Sequence, residues 1–533
     1  MSARNASELS LNSAQLMSLG GDDRITLDER SGLNSYGCAP EPMRSLGYSS
    51  STASFISAAA YSHANSVHEQ IRQRLADDSG PALYEKYLRR AAERLRHCYG
   101  LSAEVDVAFG PSGTDLEYVA LACAMEAQLK VCNLVVEVDE VGSGCEHSQA
   151  GRYFAPRTAL GHPATKGDPL PGFDQNCLRV ETISMRESDG SVVDPHDHAD
   201  RLEAAIAIAI ARDERPLLHV VHRSKTGIVL PDWDVLVALV DRFGDRLDIV
   251  VDACQGRISP ETLRRYLDLG AIVLVTGSKF LGGPPFSAFA FFPDAVSRRM
   301  QAASSLPEGL SHFFGAAEFP ASWEVRRDLP HVTNFGMLLR LEAGIFELER
   351  LMALSPERRE RVIAGFAKLM RSLPKDLPFE LLECPASGDL QHENLESLDR
   401  QTLFVVALKP EFLAGTTVGF EDARSIYRML HTDLSDRFSD QSNHSVASDI
   451  CQLGQPVRCL RGRHSWHPTF RLSLSAGQIF DLAGLDARLL DEHFRSDIMR
   501  IGRKIELAMQ LLLADRVSLR ETDHGSGRDA MRL

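Results

Sequence analysis

The sequence predicts an α/β fold in two domains, a large one on a mainly parallel sheet and a smaller C-terminal α+β one. Three observations predict it. Apolar runs of strand length recur between residues 105 and 292, and each is apolar almost throughout, as strands covered on both faces are. Helix-length stretches lie between several of them, which suits parallel strands joined by crossovers. After Pro330 the texture changes to a long amphipathic helix followed by mixed segments. With 533 residues and 44% hydrophobic content the chain can bury a sizeable core and fill two or more domains. The predicted divisions are 1–79 (an N-terminal arm and active-site segment), 80–330 (the large domain), 331–515 (the small domain) and 516–533 (a disordered tail).

In chain order, the first thirty residues are rich in Ser, Asn, Asp and Gly and read as a flexible arm, and 30–57 carries turn chemistry with little periodicity. From Pro81, the residues Tyr84, Leu88, Ala91, Leu95 and Cys98 recur at helical spacing, and Gly100 stops the helix. Strands are predicted at 105–109, 134–138, 217–221, 249–253, 271–276 and 288–292, with helices at 116–128, 232–243 and 260–269. A helix over 334–353 opens the small domain, whose strands fall at 403–408 and 470–476. The polar stretch 435–449 reads as a mobile loop, and the chain from about 517 onward as disordered.

Composition excludes several classes of function. Lys and Arg total 58 against 73 Asp and Glu, a net charge of −15 that repels a phosphate backbone, so nucleic acid is not an expected partner. The apolar run 204–211 is far short of the roughly 18 residues that span a bilayer. The opening residues lack the basic and apolar regions of a secretory signal, which predicts a cytoplasmic location. Ten cysteines form no C-x-x-C pair, so neither a zinc site nor a disulfide framework is expected. The HDH at 196–198 has no accompanying ligand set and reads as polar surface, so no metal is expected.

The chemistry concentrates in 249–292, where VVDACQGR and VTGSKFLGGPP each end an apolar strand. Ligands of such sheets bind at the carboxyl ends of the strands, so Asp252 and Lys279 should face one crevice. Burial disfavours the charged form of an amine, and a neutral amine is a nucleophile able to form a Schiff base. A solvated lysine paired with Asp252 accounts for the same residues without chemistry. GPSGTD, between a strand and a helix start, offers free backbone N–H groups and a positive dipole end, which makes Ser112, Gly113 and Thr114 candidates for holding a phosphate. A plain helix cap by Ser112 or Thr114 is the competing reading.

Taken in order, PSGTD, HRSKTG (222–227), DACQ (252–255), TGSK (276–279) and a late Arg in FRLSLSA resemble the fold-type-I pyridoxal 5'-phosphate (PLP) enzymes. Within them the resemblance is to the class V aminotransferase and cysteine desulfurase group, over roughly residues 80–480. It implies a large domain with a sheet of the seven-stranded type, and a homodimer with shared active sites. Lys279 would carry the cofactor and shuttle protons at the substrate Cα, while Asp252 would pair with the ring nitrogen. Gln255 and His222 would serve the ring's 3'-oxygen, Thr276 and Ser278 would join Gly113 and Thr114 around the phosphate, and Arg471 would take the substrate carboxylate. The strand after the phosphate loop leads into DEVGSG, which would leave Glu140 or Val141 over the ring where the family commonly has His. At the lysine, Ser278 stands where His is frequent.

Asn34 and Tyr36 are expected to line the substrate space, with Ser50, Ser51 and Thr52 reaching a partner's phosphate. Arg223 and Lys225 form a basic turn suited to an anion. The expected reaction is transamination of an amino acid. The alternatives are elimination or replacement at Cβ or Cγ (a lyase or bond-forming activity on S-adenosylmethionine or another bulky amino acid) and cysteine desulfurization through Cys451 or Cys459. A PLP-binding regulator is the alternative outside enzymology, and it requires a basic helix pair that the first eighty residues do not offer.

Overall fold

The computed structural model describes residues 9–49, 51–52, 54–136, 140–142, 144–382, 397–399, 401–409, 412, 418–459, 461 and 466–526. Its thirteen described strands are β1 (Leu46–Tyr48), β2 (Asp106–Gly110), β3 (Val131–Val136), β4 (Leu178–Ile183), β5 (Arg215–His222), β6 (Val229–Leu230), β7 (Asp248–Asp252), β8 (Ala271–Thr276), β9 (Ala288–Phe292), β10 (Phe379–Leu381), β11 (Leu403–Leu408), β12 (Cys451–Leu453) and β13 (Thr469–Ser473). The main sheet runs β2-β9-β8-β7-β5-β3-β4, with β6 beside β5. Neighbours among β8, β7, β5, β3 and β4 pair in parallel, and β9 is antiparallel to both β8 and β2. β10-β11-β13 form a separate antiparallel sheet, and β1 pairs in parallel with β12. The α/β architecture, with a mainly parallel sheet and a smaller C-terminal sheet, is the one the sequence predicts.

The central strands are apolar throughout because each feeds two layers. Ile249 and Val251 of β7 pack into one core cluster and Val250 into the other, the period-2 alternation of a strand buried on both faces. β4 is the exposed edge, where Arg179 and Glu181 interrupt LRVETI. That pattern lacks a continuous apolar run, and the sequence reading missed the strand for this reason. Helix Gly80–Tyr99 ends as expected at Gly100, which takes a left-handed φ of 61°. Helix Phe335–Met352 is buried along most of its length and packs on the N-terminal helix Ser13–Met17 and on helices Ala58–Arg74, Gly80–Tyr99 and Ala476–Leu482.

Three expectations need correction. Residues 9–30 are docked instead of flexible, because Leu9, Leu16, Met17 and Ile25 are buried within the polar stretch. Buried Arg340 donates to the carbonyls of Met17 (2.7 Å), Leu19 (2.6 Å) and Gly20 (2.9 Å), which fixes the segment to helix Phe335–Met352. The 435–449 stretch carries the helix Gln441–Ala447, started by the Asp440 side chain. It is polar because its partners are charged: Arg500 of the last helix binds Asp449 and the Ser445 carbonyl. Finally, the helix Ala487–Ser526 continues past 516 through the predicted tail, and 527–533 lie outside the described residues. Helix Ala58–Arg74 was also missed. Its buried stripe begins with Ala60 and Ala64, which are too small to read as an apolar face.

Candidate active site

β2, β3, β5, β7 and β8 run the same way, so their carboxyl ends share one edge of the sheet. At that edge lies a cavity of about 200 Å³. β7 ends on Asp252, which pairs in register with Leu274 of β8, two residues before β8 ends on Thr276. The chain then turns through Gly277, Ser278 and Lys279, so Asp252 and Lys279 reach the same cavity from adjacent strands. Both are half-buried. The Asp252 carboxylate accepts the Cys254 N–H at 2.9 Å, which fixes its direction.

Glycine packing holds the lysine loop. The Gly283 N–H donates to the Gly277 carbonyl at 2.8 Å. A Cβ on Gly283 would lie 2.9 Å from that same oxygen, and one on Gly344 would lie 3.0 Å from the Gly277 Cα. The loop therefore rests on helix Phe335–Met352 backbone against backbone, closely enough that a side chain on either glycine would have to push the other backbone away.

Helix Gly113–Ala127 begins at the cavity, and Ser112, Gly113 and Thr114 line it. Gly113 lets the helix start approach Cys254, since a Cβ would meet its Sγ at 2.3 Å and one of the two would have to shift. Ser112 caps the helix: it accepts the Asp115 N–H and donates its own hydroxyl to the Asp115 carboxylate. Burial pushes that carboxyl up to about 7. Thr276 also lines the cavity but donates its hydroxyl to the Cys254 carbonyl at 2.6 Å. Gln255 accepts from Arg257 at 3.1 Å, which turns its own amide donors away from that partner. Glu117, fully buried on helix Gly113–Ala127, has its carboxyl pushed well above the usual range by burial and by the charge of Asp252.

Arg471 lines the cavity from β13 and donates to the carbonyls of Gln455 (3.0 Å) and Lys225 (3.4 Å). Gly454 makes room for it, because a Cβ there would lie 2.7 Å from the Arg471 Cβ. Lys225 lines the cavity too, and burial, with Arg471 and Lys279 nearby, lowers its ammonium to about 8.

Three predicted site residues are placed elsewhere. His222 does not line the cavity: its Nε2 donates to the Arg257 carbonyl and its Nδ1 accepts from the Tyr266 hydroxyl, each at 3.1 Å. Glu140 is buried on Arg186 and Thr226 and Val141 in a small apolar cluster, so Gly142 and Cys145 occupy the cavity wall expected of them. Asn34 Oδ1 accepts the N–H groups of Tyr36 (3.0 Å) and Cys38 (3.1 Å), organising the turn that carries Tyr36 into the cavity. Ser51 and Thr52 line the cavity of their own chain, and Ser50 lies outside the described residues. The sequence reading missed Arg24, Cys145, Phe286 and Gln455, which reach the cavity only through tertiary packing. Cys451 and Cys459 are buried away from the cavity, and burial raises the Cys145 and Cys254 thiols at its wall. Among the described residues no cluster of His, Cys, Asp and Glu could hold a metal, and no helix is long and apolar enough to cross a membrane.

No family model matches this chain. A search of curated proteins also finds no match. Among solved structures, a ureidoglycine-glyoxylate aminotransferase from Bacillus subtilis aligns with 88% of this chain and 94% of its own, at 11% identity and a TM-score of 0.49. A pyridoxamine-pyruvate aminotransferase from Mesorhizobium loti aligns over 89% and 98%, at 16% identity and a TM-score of 0.45. A cysteine desulfurase from Escherichia coli aligns over 88% and 95%, at 14% identity and a TM-score of 0.47. At such values the functional reading rests on the residues of the cavity.

Proposed function

We propose that this protein is a PLP-dependent enzyme acting on an amino acid, and that the reaction is transamination. The observation that carries the reading is the convergence of Lys279 and Asp252, from the ends of adjacent strands, on a cavity that also contains a helix N-terminus. The donor set suits the cofactor: an amine for its aldehyde, a carboxylate for its ring nitrogen, and the N–H groups of a helix start for its phosphate. PLP, when bound, supplies an electron sink for bonds at the substrate Cα.

The chain's own residues do the rest. Lys279 provides the amine and moves a proton at Cα. Asp252, held by the Cys254 N–H, accepts the ring N–H and keeps that proton in place. Gln255, its carbonyl oxygen engaged by Arg257, offers amide donors to the 3'-oxygen. Arg471 forks onto the substrate carboxylate, with Lys225 beside it adding positive charge. The aromatic side chains of Tyr36 and Phe286 line the same cavity and limit water around the reacting carbon.

Transamination needs a proton shuttle and no further nucleophile, which the cavity's high thiols do not supply. A panel of amino acids offered with a 2-oxo acid acceptor tests it. The reading expects a new amino acid to form in step with loss of the donor, and Lys279→Ala to abolish this. Release of ammonia or sulfide without amino transfer would replace it with elimination or desulfurization.

A further inference from the structure

We propose that Arg24, delivered by the N-terminal segment, is a ligand of the cofactor's phosphate, so that phosphate binding and docking of that segment are coupled. The proposal rests on the PLP reading above and adds a residue to that site.

Arg24 is built into the cavity wall on one edge and left open on the other. Its Nε donates to both Asp22 carboxylate oxygens (2.9 and 3.0 Å) and its Nη2 to Asp22 Oδ2 (2.5 Å). The remaining edge, with Nη1, belongs to a side chain that keeps 32% exposure while Asp22 keeps 4%. The guanidinium carbon sits 5.5 to 5.8 Å from the ring centres of Phe286, Phe154 and Tyr36. Three rings and a bidentate carboxylate remove the rotamer freedom that an arginine ordinarily loses only on binding an anion.

The phosphate seat needs such a charge. Arg24 lines the same cavity as Ser112, Gly113 and Thr114, and it is near enough to Asp115, in the first turn of that helix, for their charges to interact. The lysine loop presents the neutral Ser278. The hydroxyl protons of Ser112 and Thr276 are committed to Asp115 and the Cys254 carbonyl. The helix start and the neutral hydroxyl groups of Thr114, Ser278, Ser51 and Thr52 would otherwise face a phosphate bearing nearly two negative charges, and a guanidinium edge supplies opposite charge that no hydroxyl can.

The segment is also fixed well enough to hold the residue. Arg340 and Asn334 bind the Gly20 carbonyl at 2.9 Å each. A Cβ on Gly20 would lie 1.9 Å from Asn334 Oδ1, and one on Gly21 would lie 2.9 Å from the Phe286 ring. Phe286 itself holds a left-handed φ of 69°, and its carbonyl accepts from Arg340 at 3.0 Å, so segment, cavity wall and central helix form one contact set.

The test compares full-length wild type with Arg24→Met, which keeps a long side chain between the rings, and Arg24→Lys, which keeps the charge without the fork. Each is titrated spectroscopically with PLP and with pyridoxal, which lacks the phosphate, and hydrogen exchange of residues 9–38 is followed with and without inorganic phosphate. The expected result is about 10- to 100-fold weaker PLP binding in Arg24→Met, a smaller loss in Arg24→Lys, and unchanged pyridoxal binding. Inorganic phosphate should slow exchange in the segment of wild type alone. Equal losses for PLP and pyridoxal, or no loss for either, overturn the proposal. So does an Arg24→Met variant whose KM for the amino acid rises while PLP affinity holds, since that assigns Arg24 to the substrate's carboxylate. Wild type that takes up neither ligand overturns the PLP reading itself, and the seat with it.

Discussion

Lys225 is a lysine whose charge is only partly secured at neutral pH. Its ammonium is lowered to about 8 by burial and by its cationic neighbours Arg471 and Lys279, so the free protein loses that charge as pH rises through about 8 instead of near 10.5. If the charge helps seat an anionic substrate, kcat/KM should fall above about pH 8 in wild type. Lys225→Arg, which stays charged, should flatten that limb, and Lys225→Met should lower kcat/KM about 10-fold at pH 7. A wild-type profile that the arginine leaves unchanged would remove Lys225 from substrate binding. The residues legible in the sequence are those whose motif fixes them at a strand end: Asp252, Gln255, Ser278, Lys279 and the GPSGTD turn. Arg24 was not legible, because what brings it to the cavity is Arg340 reaching back more than 300 positions. His222 ends β5 and Glu140 follows β3, but other segments supply them with better partners, Arg186 after β4 for one and Tyr266 of helix Pro260–Asp268 with the Arg257 carbonyl for the other.

The element that decides the geometry of the lysine is helix Phe335–Met352, through the contact of Gly344 with Gly277. Gly344→Ala places a methyl 3.0 Å from the Gly277 Cα and within 3.2 Å of its carbonyl oxygen, and neither can move without shifting the lysine loop. The substitution should cost about 1–3 kcal/mol of stability, read by denaturant unfolding, and weaken cofactor binding. Unfolding and binding both at wild-type level would show that the loop is not held this way. Strands β7, β8 and β9 were readable because burial on both faces leaves an uninterrupted apolar run, and β8 and β9 match their predicted ends. β4 and helix Ala58–Arg74 were not, since an edge strand alternates with charge and a helix packed closely on another uses alanine. The 435–449 segment misled because charged partners from Ala487–Ser526 order it, not an apolar face of its own.

At the scale of the molecule, the α/β class was legible in the sequence, but not how the first forty residues belong to it. They read as an arm by composition, yet they insert Leu16 and Met17 into the core and place Arg24 and Tyr36 at the cavity. Deleting residues 1–38 should therefore lower stability, read by denaturant unfolding, and weaken PLP uptake at least as far as Arg24→Met does, read by absorbance. Retained uptake would reduce the segment to a covering. The resemblance implies a homodimer with shared sites, and light scattering of the purified protein should give twice the chain mass, whereas a monomer that turns over substrate would contradict it. Every part of the account depends on Lys279 being the amine that carries the cofactor. Borohydride reduction of PLP-saturated protein followed by peptide mass mapping measures this directly. The account predicts a pyridoxyl group on the peptide containing Lys279 and none on Lys225. An unmodified Lys279, or an adduct on Lys225 instead, would contradict it.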